Sequence, residues 1–394
     1  MSARVAPPHR ASRSGPDSGA RREGQGGLTF TRPPYIVAAY SVAGPEEGRG
    51  PLGPRFDLLV PDYEWGESSF ERSEQKFLRR ALDGALRAAG LSAHDIDAHF
   101  GGDLLDEMTV HSLTVREDGI PFVGLFSACA TCGSGLGLAS SFIAGGGMRR
   151  TLVSVSSHYY TAERQFRFPT ELGVQRKPTN QRTATGAVAF VLSGDSAWTG
   201  EGANGTREPG EIGFGRLAAE GGAAGASFAR VTHFTAGRVR DLGVKDTNNL
   251  GAAEAPAAAD TLLRHFAQTG RRAEDYDLVL TGDLAGVGLP LAQEICKDQG
   301  LDLGSRWQDA GIMLYGPDQD ADAGGSGAAC CALVLAAEVL PRLVRGEWGR
   351  VLFVATGSLH SKTSYEQGES IPVVAHAVEL TGPSARPLGE EAGD

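Results

Sequence analysis

The stretch SACATCGSGLGLAS, residues 127–140, sets a thiol where an apolar run gives way to a glycine-spaced helix. IPFVGLF, residues 120–126, reads as the buried strand that precedes it. At a helix N-terminus the unpaired backbone N–H groups and the positive end of the dipole gather. They stabilise a thiolate, and they also make an anion site. Cys129 is therefore a candidate nucleophile or a candidate pocket wall. The alternative is a small buried cysteine filling a tight helix–sheet contact. Cys129 and Cys132 share the CxxC spacing of redox pairs. A zinc site needs two further ligands at comparable spacing, and the adjacent Cys330 and Cys331 are poorly placed to chelate. No metal site is expected.

A second constellation is SSHYYTAERQFRFPTELGVQRKPTNQRTATG, residues 156–186, which falls between two strands and has little periodicity of its own. Arg164, Arg167, Arg176, Lys177 and Arg182 stand there against Glu163 and Glu171, in a chain of net charge −11. Tyr159, Tyr160, Phe166 and Phe168 supply flat apolar faces. Arginine forks pair bidentately with carboxylates, and aromatic faces stack on rings, so the segment suits a planar aromatic dianion. Read as an ordinary surface excursion, its arginines would pair with nearby acids and do little. His158 follows a strand end, where ligand crevices of α/β sheets lie. His360 follows the corresponding strand end in GSLHSKTSYEQG.

The elements that must position these groups alternate between strand and helix. PYIVAAYSV (34–42) reads as a buried strand, and the Gly/Pro-rich 43–67 as a surface wrap. Ser68 followed by Glu71 has capping-box spacing. Phe77, Leu78, Ala81, Leu82, Ala85, Leu86 and Ala89 mark one helical face. Strand 96–102, helix 104–116, strand 120–126, helix 130–145 and strand 151–156 complete a first series. A second runs through strand 228–239, helix 252–268, strand 276–281, helix 288–298, helix 327–345, and strands 350–356 and 371–378. TLVSVSS (151–157) and VLFVATG (351–357) each follow an Ala-rich helix and a turn ending in Arg150 or Arg350. The shared order of elements points to an internal duplication and to strands covered on both faces.

Composition sets the frame. At 394 residues, 41% apolar and 22% charged, the chain can bury a large core without disulfides or metals. The acidic balance argues against general nucleic-acid binding. Five scattered cysteines form no secreted disulfide framework. No apolar run approaches the ~20 residues of a membrane helix. Residues 1–33 hold six arginines and two acids with almost no large apolar side chains, and are expected to be a disordered extension. The same is expected of a tail at 382–394. Between them lie a first half, 34–225, with an irregular insertion at 157–184, and a second half, 226–381.

These residues together resemble the thiolase superfamily, whose fold is two similar α/β halves packed as a layered α-β-α-β-α pseudo-dimer. GLFSACATCGSGLGLAS is similar to the segment that carries the nucleophilic cysteine of thiolases and ketoacyl synthases. Within the superfamily the chain resembles the stage V sporulation protein AD family. The likeness is carried by GDLLDE (102–107), GIPFVGLFSACAT (119–131), SSHYYTAERQFRFPTE (156–171), QRTATGA (181–187), TGDL (281–284), AGGSG (323–327) and IPVVAHAVE (371–379).

The resemblance implies a role in spores. It implies binding of dipicolinic acid, pyridine-2,6-dicarboxylate, and help in loading it into the forespore. It also implies work beside membrane-embedded proteins of the same operon, at the spore inner membrane and without a transmembrane segment. By fold analogy it implies a homodimer. The ligand pocket is then expected at Cys129, Ser156 and His158, with Arg164 or Arg167 as anion partners and Cys330 entering from the second half. Whether calcium accompanies the ligand is open at this point. Condensing enzymes place a histidine in their second half to stabilise an oxyanion. The corresponding TGDLAGVG here holds Asp283, expected to be anionic and to oppose that chemistry. A non-catalytic binding protein is the reading; an acyltransferase or ketoacyl synthase-like enzyme with Cys129 as nucleophile is the alternative.

Overall fold

Side chains of Tyr35–Ala43 alternate between two cores. Ile36, Ala39 and Ala43 enter one apolar cluster, while Val37, Ala38, Tyr40 and Val42 enter another. A strand covered on both faces belongs inside a layered structure. The structure, a computed structural model that describes residues 19–166, 176–195 and 228–386, has that form.

In the first half the chain runs β1 (Ala20–Glu23), β2 (Gly27–Phe30), β3 (Tyr35–Ala43), α1 (Pro45–Arg49), β4 (Leu58–Leu59), α2 (Phe70–Ala89) and β5 (Ala98–Gly102). It continues with α3 (Thr109–Val115), β6 (Phe122–Gly124), α4 (Thr131–Ala144), β7 (Arg150–Ser157), α5 (Tyr159–Phe166), β8 (Arg182–Thr183) and β9 (Gly186–Ser193). The second half runs β10 (Ala229–Thr235), α6 (Leu250–Thr269), β11 (Leu278–Thr281), α7 (Ala285–Asp298), β12 (Trp307–Asp309), α8 (Ala310–Leu314) and β13 (Gly325–Ser326). Then comes α9 (Ala328–Val334), which passes through a π-helical turn, Leu335–Val339, into α10 (Leu340–Val344). β14 (Arg350–Ser358), α11 (Lys362–Glu366) and β15 (Val373–Thr381) close it.

The main sheet has the order β12-β11-β14-β15-β10-β3-β9-β7-β5-β6. Read outward from the β10–β3 junction, both sides match. β3 and β10 each pair antiparallel with the last strand of their half, β9 or β15. That strand pairs antiparallel with β7 or β14, and two parallel partners follow. The duplication reaches single side chains. Asp97 accepts from the N–H groups of Arg149 and Arg150, and Asp277 does the same for Gly349 and Arg350.

Two helices fill the space between the halves of the sheet. Three glycines of α4 allow the close approach. A Cβ on Gly135 would lie 2.8 Å from Val153 of its own half, and one on Gly133 would lie 3.0 Å from Ala355 of the other. A Cβ on Gly137 would lie 2.3 Å from the Phe234 ring. α9 is buried on every side. α2 and α6 cover the outer faces, α2 through Phe77, Leu78, Ala81, Leu82 and Ala85. The result is the layered α-β-α-β-α arrangement of two similar halves. Gly137→Ala should lower stability by about 1–3 kcal/mol, because Phe234 must leave its rotamer to make room. Thermal melting checks this, and an unchanged Tm would show slack between α4 and β10.

Several sequence expectations are corrected. Residues 1–33 are not disordered throughout: β1 and β2 form a hairpin, and β2 pairs antiparallel with β10. Backbone pairing, the 2.9 Å contact of Thr29 Oγ1 with His233 Nδ1 and burial of Phe30 in the central core order this segment. Residues 1–18 lie outside the described residues. The tail expected to be loose from 382 instead begins ordered, with Gly382 N–H donating to Gly349 O and Arg350 to Arg386 O. The insertion at 157–184 opens with helix α5. The cap of α2 is Ser69, one residue later than expected, accepting from Arg72 N–H. The wrap at 43–67 buries two acids, Glu47 and Asp57.

On the outer face of β15, the buried Glu379 gathers five donors. Arg271 contributes Nε and, at 2.8 Å, Nη2; Arg350 Nη1 lies at 2.9 Å, Tyr276 Oη at 2.8 Å and Thr232 Oγ1 at 2.7 Å. Burial opposes ionisation here, but the bonds and charge of Arg271, with Arg350, hold the carboxyl at about 2.

Candidate functional site

The turn before α4 is built to expose a side chain. Ala128 takes φ +49°, a left-handed conformation that costs a non-glycine residue energy. Residues Ala128–Ala130 form a 3₁₀ turn that runs into α4, and the N-cap Ala130 has no side-chain oxygen to cap it. The other half presses on this turn: a Cβ on Gly357 of β14 would lie 2.3 Å from Ser127 O and 3.0 Å from Cys129 N. Only glycine allows the strand to back the turn so closely.

Cys129 opens into a cleft between the halves, open to solvent on one side and with a cavity volume of about 40 Å³. Leu104, Ala162, Phe166 and Leu250 give it an apolar side. Thr183, Thr247, Ser326, Ser358 and His360 give it a polar side. β8 and β13 pair Arg182 with Gly325 and Thr183 with Ser326, so a two-stranded bridge closes one wall. The Phe166 and His360 rings meet edge-on with centroids 5.3 Å apart.

Behind the wall lies a group of buried acids. Asp283 follows β11 at φ +65°, and its Oδ2 accepts from Gly327 N–H at 2.9 Å. Glu254 of α6 accepts from Ser358 Oγ at 2.8 Å. Asp309 accepts from the N–H groups of Ala285 and Gly311, each at 2.9 Å. Burial pushes Asp283 up to about 8 and Asp309 to about 6. Burial, then the charge of Asp283, lifts Glu254 well above the carboxylate range. Burial thus favours the uncharged form of Asp283, where the sequence reading expected an anion. Burial first, then Asp283 and Glu254, drives the Cys129 thiol well above its ordinary value. Cys330, fully buried in α9, is pushed up by burial and by Asp283. The helix dipole that would favour a thiolate is thus outweighed.

The cleft brings Cys129 and His360 together, with Cys330 and Asp283 directly behind. Three expected site residues go elsewhere. Ser156 shares the outer face of β7 with Leu152 and donates to Glu74 Oε1 at 2.8 Å. His158 donates to Tyr63 O at 2.9 Å, sits against the Tyr63, Phe70 and Tyr160 rings, and is held at about 4 by burial. Arg164 pairs with Glu71 over the Phe70 ring on the surface. Strand parity explains the first of these: Val153 and Val155 point to the central core, so Ser156 points away. Arg167 lies outside the described residues. Among the described cleft-lining residues there is no arginine or lysine. Among the described residues no group of three or more His, Cys, Asp or Glu side chains is arranged to hold a metal ion.

Sequence reasoning passed over Glu74 and Glu254. Each is the fifth residue of a twenty-residue helix, α2 or α6, and each faces an aspartate from a Gly-Asp-Leu at the following strand end, Asp103 or Asp283. The repeated Gly-Asp-Leu was the available signal.

The sequence profile described as Stage V sporulation protein AD (SpoVAD) matches residues 24–381. A relative named Stage V sporulation protein AD from Bacillus subtilis (strain 168) is 39% identical over 349 residues, covering 89% of this chain and 94% of the relative. Among solved structures, a variant of Xanthomonas campestris OleA aligns at 16% identity and TM-score 0.50, over 89% of this chain and 98% of its own. A cerulenin-bound form of OleA aligns at 16% identity and TM-score 0.50, over 89% and 96%. At that identity the likeness to OleA is one of fold.

Proposed function

This chain belongs to the stage V sporulation protein AD family and is a sporulation protein, and on that footing we propose that its cleft binds dipicolinic acid without catalysing a reaction. The observation that carries the non-catalytic reading is the carboxyl set against the Cys129 thiol. A nucleophilic cysteine reacts as its thiolate. Here burial and two acids keep the proton on sulfur. What remains of the thiolase-like site is a cavity with an apolar side, a polar side and a helix N-terminus.

Those surfaces suit a flat ring with two carboxylates. Leu104, Leu250 and Phe166 offer faces to the ring. Thr183 and Ser326 offer hydroxyl donors, beside the turn that opens α4. Hydroxyls and the His360 imidazole take the role that the sequence reading gave to arginine. The protein is proposed to act in dipicolinate uptake into the forespore, peripherally at the spore inner membrane, with membrane-embedded proteins of its operon. No helix of the described residues is long and apolar enough to cross a membrane. A second copy is proposed to cover the edge strand β6, where Val123 and nearby Phe126 are exposed.

Calorimetry with dipicolinate, run with and without calcium, should give saturable binding. No heat at millimolar ligand from a folded sample would end this reading. Incubation with acyl-CoA should leave the protein mass unchanged. An adduct that disappears in Cys129→Ala would favour the acyltransferase instead.

A further inference from the structure

We propose that Gln165 is a positioning residue that fixes the apolar wall of the cleft, and that the wall so held selects flat ring dicarboxylates over puckered ones, a step that rests on the binding reading above. Two segments of the first half supply this wall: Leu104, after β5, and the pair Ala162 and Phe166 of α5. Ala162 and Phe166 stand four residues apart and so share one face of the helix. Leu250 of α6 comes to the same side from the second half. The His360 ring, also of the second half, meets the Phe166 ring edge-on. The end of α5 that carries Phe166 is thus where the wall of the first half meets the second.

One carboxamide ties the two segments together. Gln165 Nε2 donates to Leu104 O at 3.1 Å and to Asp106 Oδ1 at 3.0 Å. Gln165 Oε1 accepts from Asp106 N–H at 3.2 Å. Both ends of the amide are used, so it fixes direction as well as distance. The start of α5 is anchored separately. There Tyr159 N–H donates to Thr185 Oγ1 at 2.9 Å, and Thr161 Oγ1 donates to Glu74 Oε2 at 3.0 Å. The far end, beside Phe166, is held by Gln165. GDLLDE and TAERQF, two pieces that carry the family likeness, meet in this contact.

The segment that Gln165 grips is strained. Glu107 and Met108, directly after Asp106, take left-handed conformations at φ +54° and +53°. Such conformations cost a non-glycine residue energy and persist where the surroundings hold them. Thr109 Oγ1 returns to Asp106 O at 2.8 Å, closing the turn. Ala128, left-handed as well, lines the same cleft. A wall held in this way does not repack around its ligand. Flexible surfaces accept many shapes, and a fixed one discriminates between them. An aromatic ring with two carboxylates lies flat against Leu104 and Phe166. A saturated ring of the same size pushes axial hydrogens into them. In a fixed apolar pocket a misfit of this size is worth about tenfold or more in affinity.

The test is calorimetry at about pH 7.5, where carboxylates are ionised, with dipicolinate and a matched pair of dianions. The pair is benzene-1,3-dicarboxylate, which is flat, and cis-cyclohexane-1,3-dicarboxylate, which is puckered. The wild-type protein should prefer the flat member by about tenfold or more. Gln165→Ala and Phe166→Ala should each cut that preference to about threefold or less, with melting midpoints close to wild type. Asp106→Ala removes the same clamp from its other side. It should reproduce much of the fall, and the double variant with Gln165→Ala should add little. A merely structural role would weaken both ligands alike and keep their ratio. Should Phe166→Ala fail to fold, Gln165→Ala and Asp106→Ala carry the test. Equal wild-type affinity for the pair, or an undiminished preference in folded Gln165→Ala protein, overturns the inference and leaves the binding reading standing. So does binding of dipicolinate with neither member of the pair, since the ring nitrogen and not the ring's shape would then decide. Absence of dipicolinate binding removes the binding reading, and this inference with it.

Discussion

In the folded protein, Cys129 should react with iodoacetamide at pH 7.5 far more slowly than a free cysteine, whose thiol titrates near 8.5. Two forces compete at this sulfur. The first turn of α4 favours the thiolate, as helix N-termini do. Burial and the acids Asp283 and Glu254 oppose it, and they win. Each tenfold loss of thiolate is a tenfold loss of rate. The rate should climb about tenfold per pH unit through pH 9.5 with no plateau. All five cysteines are buried, so the label must be mapped to Cys129 by peptide mass. Asp283→Asn should speed the reaction above about pH 8, where Asp283 carries its charge. A plateau at or below pH 8 would mean a standing thiolate, and the non-catalytic reading would fall.

Glu379→Ala should cost about 3–5 kcal/mol, the penalty for breaking a buried ion pair from one side. Arg271 and Arg350 would be left nearly buried without their carboxylate. The pH dependence follows from the same site. Glu379 is held at about 2, below the ordinary value of 4.5. A group whose folded value is depressed gives stability that is present above its unfolded value and lost as pH falls toward its folded value. Its contribution, on the order of 3 kcal/mol, is therefore complete above about pH 4.5 and disappears between pH 4.5 and 2. Urea denaturation of wild type and Glu379→Gln at pH 7 and pH 3 reads both effects. The gap between the two proteins should narrow at pH 3. A gap unchanged by pH would show that the carboxylate's charge is not what stabilises β15.

The sequence made the repeating frame legible because the frame is written in local patterns. The apolar stripe of α2 and the twin segments 151–157 and 351–357 need only periodicity to be seen. The hairpin at Ala20–Phe30 was not legible because backbone pairing to β10 and one buried aromatic, Phe30, order it, too little apolar pattern to mark a strand. Cys129 was found through its strand-to-helix junction. Ser156 and His158 were misplaced although Val153 and Val155 already fixed the parity of their strand. Arg164 was misread because a charge surplus does not say which acid lies across the fold; here it is Glu71. The upward shift of Asp283 and Glu254 depends on burial in the assembled fold, which no local stretch encodes.

The glycines of α4 carry one more implication, for synthesis. α4 sits against Phe234, Ala355 and His376, all made after it. A ribosome that has released only the first half exposes a helix whose second wall does not yet exist. The nascent chain must carry that bare surface until β15 emerges. A translational pause before that point, or a messenger truncated there, would yield a polypeptide marked for chaperone capture and degradation, not a smaller working protein.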